Sequence, residues 1–187
     1  MTFTSPSILG AAYGVSELCL TLTRRSRADS VSKDRGSLRL LWVVILASIW
    51  LGFFLTHALP AWAMPNANRY YTLGSGCFVL GLLLRWYSII YLGRFFTTNV
   101  AIASDHRVID TGPYRFIRHP SYTGALLAFL GLGLCLGNLA SLLILIVPIL
   151  FAFLWRIRVE EKALIEALGT HYRAYMERTK RLIPFVF

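Results

Sequence analysis

The segment GPYRFIRHPSYTG, which runs from Gly112 to Gly124, places two arginines, a histidine and two tyrosines between two strongly apolar regions. Arginine binds carboxylate or phosphate through a planar fork of donors, and tyrosine and histidine offer ring faces together with hydrogen bonds. Polar and cationic groups are costly beside a bilayer unless they have partners or a function there. This segment is therefore a candidate binding or catalytic site.

A second polar cluster begins where the last apolar segment ends, in WRIRVEEKALIEALGTHYRAYMERTKRLIP. Arg156 and Glu160 are four residues apart, so they share one face of a helix. Taken singly, this pair is an ordinary salt pair, His119 is an interfacial histidine, and Tyr114 and Tyr122 belong to an aromatic belt. Taken together on one membrane face, the two clusters indicate a ligand site, although their residue types alone do not specify its chemistry.

The composition indicates an integral membrane protein. Of 187 residues, 56% are hydrophobic and 15% are charged, and the mean hydropathy is +0.59. A soluble domain has about 45–50% apolar residues. The net charge of +10 is also found in nucleic-acid-binding proteins, but basic residues collect on the cytoplasmic flanks of membrane helices. We therefore expect no nucleic-acid partner, and the three cysteines lack the close spacing of a metal site.

Apolar segments predict an all-α protein with about five transmembrane helices. They cover roughly residues 6–23, 38–64, 70–92, 120–136 and 139–155. The last two are short for a full crossing and are joined by a Gly137-Asn138 turn, which predicts a tight helical hairpin. Gly124, Gly131 and Gly133 are expected to let these two helices approach each other.

Two parts of the chain are expected to have different tasks. Residues 1–92 supply three N-terminal spans, and residues 93–187 supply the polar loop, the hairpin and the C-terminal helices. The helix that carries Arg156 is expected to continue to about Leu168 and to stop at Gly169. Thr170 is expected to cap a short following helix.

The distribution of basic residues predicts the orientation in the membrane. All but two of the 19 lysines and arginines fall in residues 24–39, residues 93–120 or the region after Trp155. With five crossings these regions share one side, which the positive-inside rule makes cytoplasmic. The N-terminus is then outside, and both polar clusters and the C-terminus are cytoplasmic. Glu17 and Arg85 lie inside apolar segments, where Arg85 either braces the site or pairs with Glu17.

Both polar segments, with the hairpin between them, resemble the isoprenylcysteine carboxyl methyltransferase family, which in turn resembles the phospholipid methyltransferases. The family pattern is G-x-Y-x-x-x-R-H-P-x-Y-x-G, a Glu-Glu pair after the hairpin, and Gly-x-x-Tyr-x-x-Tyr ending with Arg and Pro. The matching residues are Gly112, Tyr114, Arg118, His119, Pro120, Tyr122, Gly124, Glu160, Glu161, Gly169, Tyr172, Tyr175, Arg181 and Pro184. The resemblance covers roughly residues 92–184, and the N-terminal half matches as generic membrane helices.

The resemblance implies S-adenosyl-L-methionine as the methyl donor, bound at the cytosolic face, and an isoprenylated or similar lipid-like substrate. By the same resemblance, the residues expected to bind the cofactor are Asn99, His106, Val108, Ile109, Tyr114, His119, Pro120, Ser121, Tyr122 and Glu160. At Asn99 the family often has glutamine. Arg156 is expected to face the substrate carboxylate.

The nature of the methyl acceptor decides whether a base is needed. A carboxylate, with a reference pKa near 4 or below, is already ionised at neutral pH, so positioning and desolvation suffice. A thiol or ammonium acceptor needs deprotonation, for which His119 and then Glu160 are the nearest candidates. The alternatives are therefore a phospholipid-amine or small-thiol methyltransferase and, in another class, a non-catalytic scaffold whose basic face holds anionic headgroups.

Overall fold

A computed structural model of the chain describes residues 5–23, 36–96 and 107–186. The α-helices of this part are α1 (Pro6–Thr23), α2 (Gly36–Ala58), α3 (Ala67–Leu92), α4 (Pro120–Cys135), α5 (Leu139–Leu168) and α6 (Thr170–Arg178). Short 3₁₀ turns occupy Pro60–Trp62, Gly93–Phe95 and Gly112–Arg115. The predicted all-helical architecture is confirmed.

Three of the described helices are long and apolar enough to cross a membrane. They are the segments Gly36–Ala58, Ala67–Phe95 and Leu139–Leu168, and Pro120–Cys135 is a shorter apolar helix. At 1.5 Å per residue, the 30 residues of α5 extend about 45 Å, which exceeds the roughly 30 Å hydrocarbon core. The C-terminal part of α5 is therefore long enough to project from the hydrocarbon core and carry polar side chains outside it.

Local chemistry sets most helix ends. Pro120 begins α4 at the position where the missing proline N–H costs nothing. Asn138 caps α5 by accepting a hydrogen bond from the Ser141 backbone N–H at 3.1 Å. Gly169, with φ of +55°, ends α5 as expected. The prediction that Thr170 caps α6 was wrong, because Gly169 occupies the cap and Thr170 is already helical.

Helices α3 and α4 pack backbone against backbone along a row of glycines. A Cβ on Gly81 would lie 2.6 Å from the Gly124 carbonyl oxygen, and one on Gly74 would lie 2.6 Å from the Gly131 carbonyl oxygen. Gly124 and Gly131 therefore serve the contact between α3 and α4, which corrects their expected role in the α4–α5 hairpin. Gly133 does face α5, because its Cβ would lie 2.6 Å from a methyl carbon of Leu142.

Helix α1 contacts the bundle with one stripe of side chains. Tyr13 packs on Phe129 of α4 with ring centroids 4.5 Å apart. Trp86 of α3 donates its indole N–H to the Ser16 hydroxyl at 2.7 Å. These contacts place one face of α1 against the surface that α3 and α4 form together.

Candidate active site

The polar loop before α4 begins with a turn that only glycine tolerates. Gly112 has φ of +56°, and a Cβ there would lie 2.5 Å from the Tyr91 ring. The turn buries Tyr114, whose hydroxyl donates to the Ser88 carbonyl of α3 at 3.2 Å. The Tyr114 carbonyl accepts a hydrogen bond from the Tyr175 hydroxyl at 2.6 Å. The loop is thus fixed to α3 on one side and to α6 on the other.

The end of this loop pairs with the C-terminal segment of the chain. The backbone N–H of Arg118 donates to the Lys180 carbonyl at 2.7 Å, and that of His119 donates to the Arg181 carbonyl at 3.0 Å. The Thr123 hydroxyl donates to the Leu182 carbonyl at 2.8 Å. Residues 59 to 62 positions apart therefore share one wall, with His119 at the start of α4.

A buried carboxylate, Glu161, joins these segments. It accepts from Arg118 Nε at 2.8 Å, from Arg181 Nε at 3.0 Å and Nη2 at 2.9 Å, and lies 3.3 Å from His119 Nε2. Glu161 is 3% exposed and His119 5%. Charged groups that are buried in this way are paired and hydrogen-bonded, so this cluster holds the histidine ring in one position.

The preceding residue, Glu160, points to a different environment. Its Oε2 atom accepts a hydrogen bond from the Tyr122 hydroxyl at 3.1 Å. One turn earlier, Arg156 is 3% exposed and donates from Nη1 to the Ser37 hydroxyl of α2. Arg156 and Glu160 thus share one face of α5, as their spacing predicts.

That face of α5 borders a cavity that the polar loop also lines. The predicted site residues on its wall are Val108, Ile109, Tyr114, His119, Ser121, Tyr122, Arg156 and Glu160. Pro120 is buried at the start of α4 and is not part of the lining. Asn99 and His106 lie outside the described residues. The two polar clusters therefore meet at one cavity, and the roles of these residues stay predictions.

Comparison with known proteins places this arrangement in a family. Residues 74–166 match the model of the isoprenylcysteine carboxyl methyltransferase (ICMT) family. The chain belongs to this family. It is 33% identical over 119 residues to a protein-S-isoprenylcysteine O-methyltransferase of Schizosaccharomyces pombe, which covers 63% of this chain and 50% of the relative. The corresponding protein of Saccharomyces cerevisiae is 38% identical over 116 residues, covering 61% and 48%.

A solved structure extends the likeness beyond the matched segment. The eukaryotic intramembrane Ras methyltransferase ICMT superposes with a TM-score of 0.72 and 26% identity, covering 95% of this chain and 64% of that chain. The ICMT-like fold therefore includes the N-terminal helices, which the sequence patterns did not distinguish from generic spans. The chain spans about half the length of the first curated ICMT relatives.

Several lining residues of this ICMT-family cavity were not predicted. Tyr172 and Tyr175 of α6 contribute to the wall, and the Gly-x-x-Tyr-x-x-Tyr spacing was the signal that could have identified them. Burial, and next the negative charge of Glu160, raise the pKa of Tyr172 far above its usual value. Burial raises the pKa of Tyr114 in the same direction. Both side chains therefore stay neutral phenols that can donate hydrogen bonds.

Apolar side chains of α2 form part of the cavity wall. Leu38, Leu41 and Ile45 of α2 line it, one helical turn apart in succession. Their helix is apolar on all sides, so no amphipathic pattern marks the lining positions. The cavity thus has a polar half, formed by the loop before α4 together with α6, and an apolar half that includes these side chains of α2.

Replacing Glu161 with alanine should destabilise the protein by about 3–5 kcal/mol, because two buried or half-buried guanidinium groups lose their counter-charge. Thermal unfolding in detergent measures the effect, with Glu166→Ala on an exposed face of the same helix as the control. The control should change the free energy of unfolding by less than about 0.5 kcal/mol. Equal unfolding midpoints for the two variants would contradict the structural role of Glu161.

Proposed function

We propose that the protein is a membrane-bound S-adenosyl-L-methionine-dependent methyltransferase that methylates the carboxylate of an isoprenylated cysteine or a similar amphiphile. The observation that carries the proposal is the single cavity in which Arg156 and Glu160 lie beside the loop of His119 and Tyr122 and beside the apolar side chains of α2. A lipid-anchored carboxylate needs such a combination of an apolar wall and a guanidinium.

The residues of the polar half suit a sulfonium donor. Glu160 supplies a negative charge, and the rings of Tyr122 and Tyr172 supply electron-rich faces for a ligand cation. Glu160, Tyr114, His119, Ser121 and Tyr122 would hold S-adenosylmethionine, with the backbone at Val108 and Ile109. When bound, this donor supplies the methyl group from its sulfonium centre. Asn99, His106 and Pro120 are proposed to support the same half.

The chain contributes orientation and exclusion of water to the reaction. Arg156 binds the acceptor carboxylate through its guanidinium fork, and its bond to Ser37 holds that fork toward the cavity. A carboxylate in this position needs no base, because it is ionised before it binds. The contact of His119 with Glu161 holds its ring at the start of α4, beside the proposed donor.

We also propose an orientation in the membrane. The chain crosses five times, with α4 and the first part of α5 as a short hairpin and with the N-terminus outside. The basic residues near the cavity, including Arg107, Arg115 and Arg173, then face the cytoplasm. Residues 1–92 supply three membrane spans, and residues 93–187 supply the methyltransferase core with the donor-binding loop and Arg156. The partners are isoprenylated substrates and the surrounding membrane lipids.

The purified protein in vesicles should transfer label from S-adenosylmethionine to N-acetyl-S-farnesylcysteine as a base-labile methyl ester. The rate at saturating donor should change by less than about twofold between pH 6 and pH 8, because an α-carboxyl group has a pKa near 3.5 and Arg156 stays protonated. A small thiol and an amine phospholipid are tested as alternative acceptors in the same assay. Label that enters only the thiol or the amine, with a rate that rises about tenfold per pH unit, would contradict the carboxylate assignment.

A further inference from the structure

The cavity extends from the polar loop into the helix bundle. On their helices, the lining residues that lie furthest along the bundle from the polar loop are Tyr13 of α1, Ile45 of α2, Arg85 of α3 and Phe153 of α5. Ile45 lies about 13 Å along α2 from its first residue, and Arg85 lies about 10 Å before the last residue of α3. These helices therefore stop lining the cavity at a similar depth. Beyond this depth, Phe129 and Ile149 are fully packed core.

Tyr13 is the large side chain at this end that does not belong to the polar half. Phe153 packs against Tyr122 with ring centroids 5.0 Å apart and so adjoins the proposed donor side. Tyr13 instead packs on Phe129 at 4.5 Å and is 2% exposed. It belongs to α1, which lies outside the segment that matches the family model. Removing its ring would lengthen the cavity toward Phe129.

A buried ion pair fixes α1 at this position. Glu17, one turn after Tyr13, accepts from Arg85 Nε at 2.5 Å and from Nη2 at 2.8 Å. Arg85 Nη1 also donates to the Ser121 carbonyl at 3.2 Å. Both predicted alternatives for Arg85 therefore hold: it pairs with Glu17 and it contacts the α4 wall of the site.

Close packing of the backbone around Arg85 holds that ion pair in place. A Cβ on Gly124 would lie 2.6 Å from the Arg85 backbone nitrogen, so α3 and α4 cannot shift at this point. A buried ion pair adds little net stability compared with apolar packing, and ionisable residues inside a membrane mark functional sites. This geometry can therefore fix the position of α1, which contributes Tyr13 to the cavity wall.

We propose that Tyr13 limits the length of the acceptor's lipid chain and that Glu17 and Arg85 are positioning residues that hold it there. This inference rests on the proposed function, since it assigns the apolar half of the cavity to a linear isoprenoid. This end of the cavity then favours shorter chains, because a longer one meets the Tyr13 ring. The helix α1 is thus part of the site rather than only an additional membrane span.

The test compares kcat/KM for N-acetyl-S-geranylgeranylcysteine with kcat/KM for the farnesyl analogue in the full chain. Because both acceptors meet the same protein sample, their ratio does not depend on how much of a variant is folded. Tyr13→Ala should raise the ratio by about tenfold. Tyr13→Leu and Glu17→Asp should raise it less, and Ser16→Ala, which removes another α1–α3 contact outside the lining, should leave it unchanged.

Ratios within twofold of wild type for both Tyr13 variants would overturn the length limit. An unchanged ratio in Glu17→Asp, with a changed one in Tyr13→Ala, would overturn the positioning role of the ion pair. If the wild-type protein methylates neither cysteine, the proposed function itself fails, and this inference fails with it.

Discussion

Arg156→Ala should lower kcat/KM for the farnesylcysteine acceptor by about two to three orders of magnitude, as removal of one aimed electrostatic donor does in other active sites. Arg156 is 3% exposed and lines the cavity, so alanine removes the guanidinium from this part of the wall. The loss should appear in the kinetic constants for the acceptor rather than in those for the donor, because Arg156 is proposed to bind the carboxylate that reacts. Initial rates of label transfer over a range of acceptor concentrations measure it.

Arg158 provides a matched control for that substitution. It lies two residues further along α5 and is exposed, so Arg158→Ala removes a charge from the same helix without changing the cavity. Its rate should stay within about twofold of wild type. Arg156→Lys keeps the charge and loses the planar fork, and we expect an intermediate rate. Wild-type rates in Arg156→Ala would remove this residue from the mechanism.

Glu160→Gln should weaken binding of S-adenosylhomocysteine by about 10- to 100-fold, since hydrogen bonds to charged groups contribute about 1.5–3 kcal/mol. The substitution preserves the shape of the side chain and an acceptor for the Tyr122 hydroxyl, which lies 3.1 Å from Oε2. It removes only the negative charge that is proposed to face the donor. Isothermal titration calorimetry on the detergent-solubilised protein measures the dissociation constant.

Two other glutamates of α5, one adjacent to Glu160 and one exposed, distinguish a loss of charge on the helix from the loss of a contact at one position. Glu161→Gln alters the arginine cluster and is expected to lower stability, whereas Glu166→Gln changes an exposed position on the same helix. Glu166→Gln should leave the dissociation constant unchanged. If Glu166→Gln weakens binding as much as Glu160→Gln does, the general charge of the helix, rather than a specific contact of Glu160, is responsible.

Local signals in the sequence predicted much of the fold. The start of α4 at Pro120 and the end of α5 at Gly169 follow from backbone chemistry within a few residues. The full extent of α1 also agrees with its apolar segment. The α2 helix ends at Ala58, short of its apolar segment, because Pro60 starts a 3₁₀ turn.

The sequence patterns did not predict which helices and side chains contact each other over long distances in the chain. Gly124 and Gly131 were recognised as packing glycines, but their spacing does not specify whether α3 or α5 is the neighbour. Likewise, the Glu-Glu pair carries no sign of which carboxylate faces the cavity. The structure separates them because successive residues on a helix point about 100° apart: Glu160 lines the cavity, and Glu161 joins Arg118 to Arg181.

Titration of S-adenosylhomocysteine into the wild-type protein tests most directly whether the loop before α4 and the C-terminal part of α5 together bind one methyl donor. The account predicts saturable binding with a micromolar dissociation constant, by order of magnitude, which Glu160→Gln weakens. An absence of saturable heat from the folded wild-type protein would contradict it.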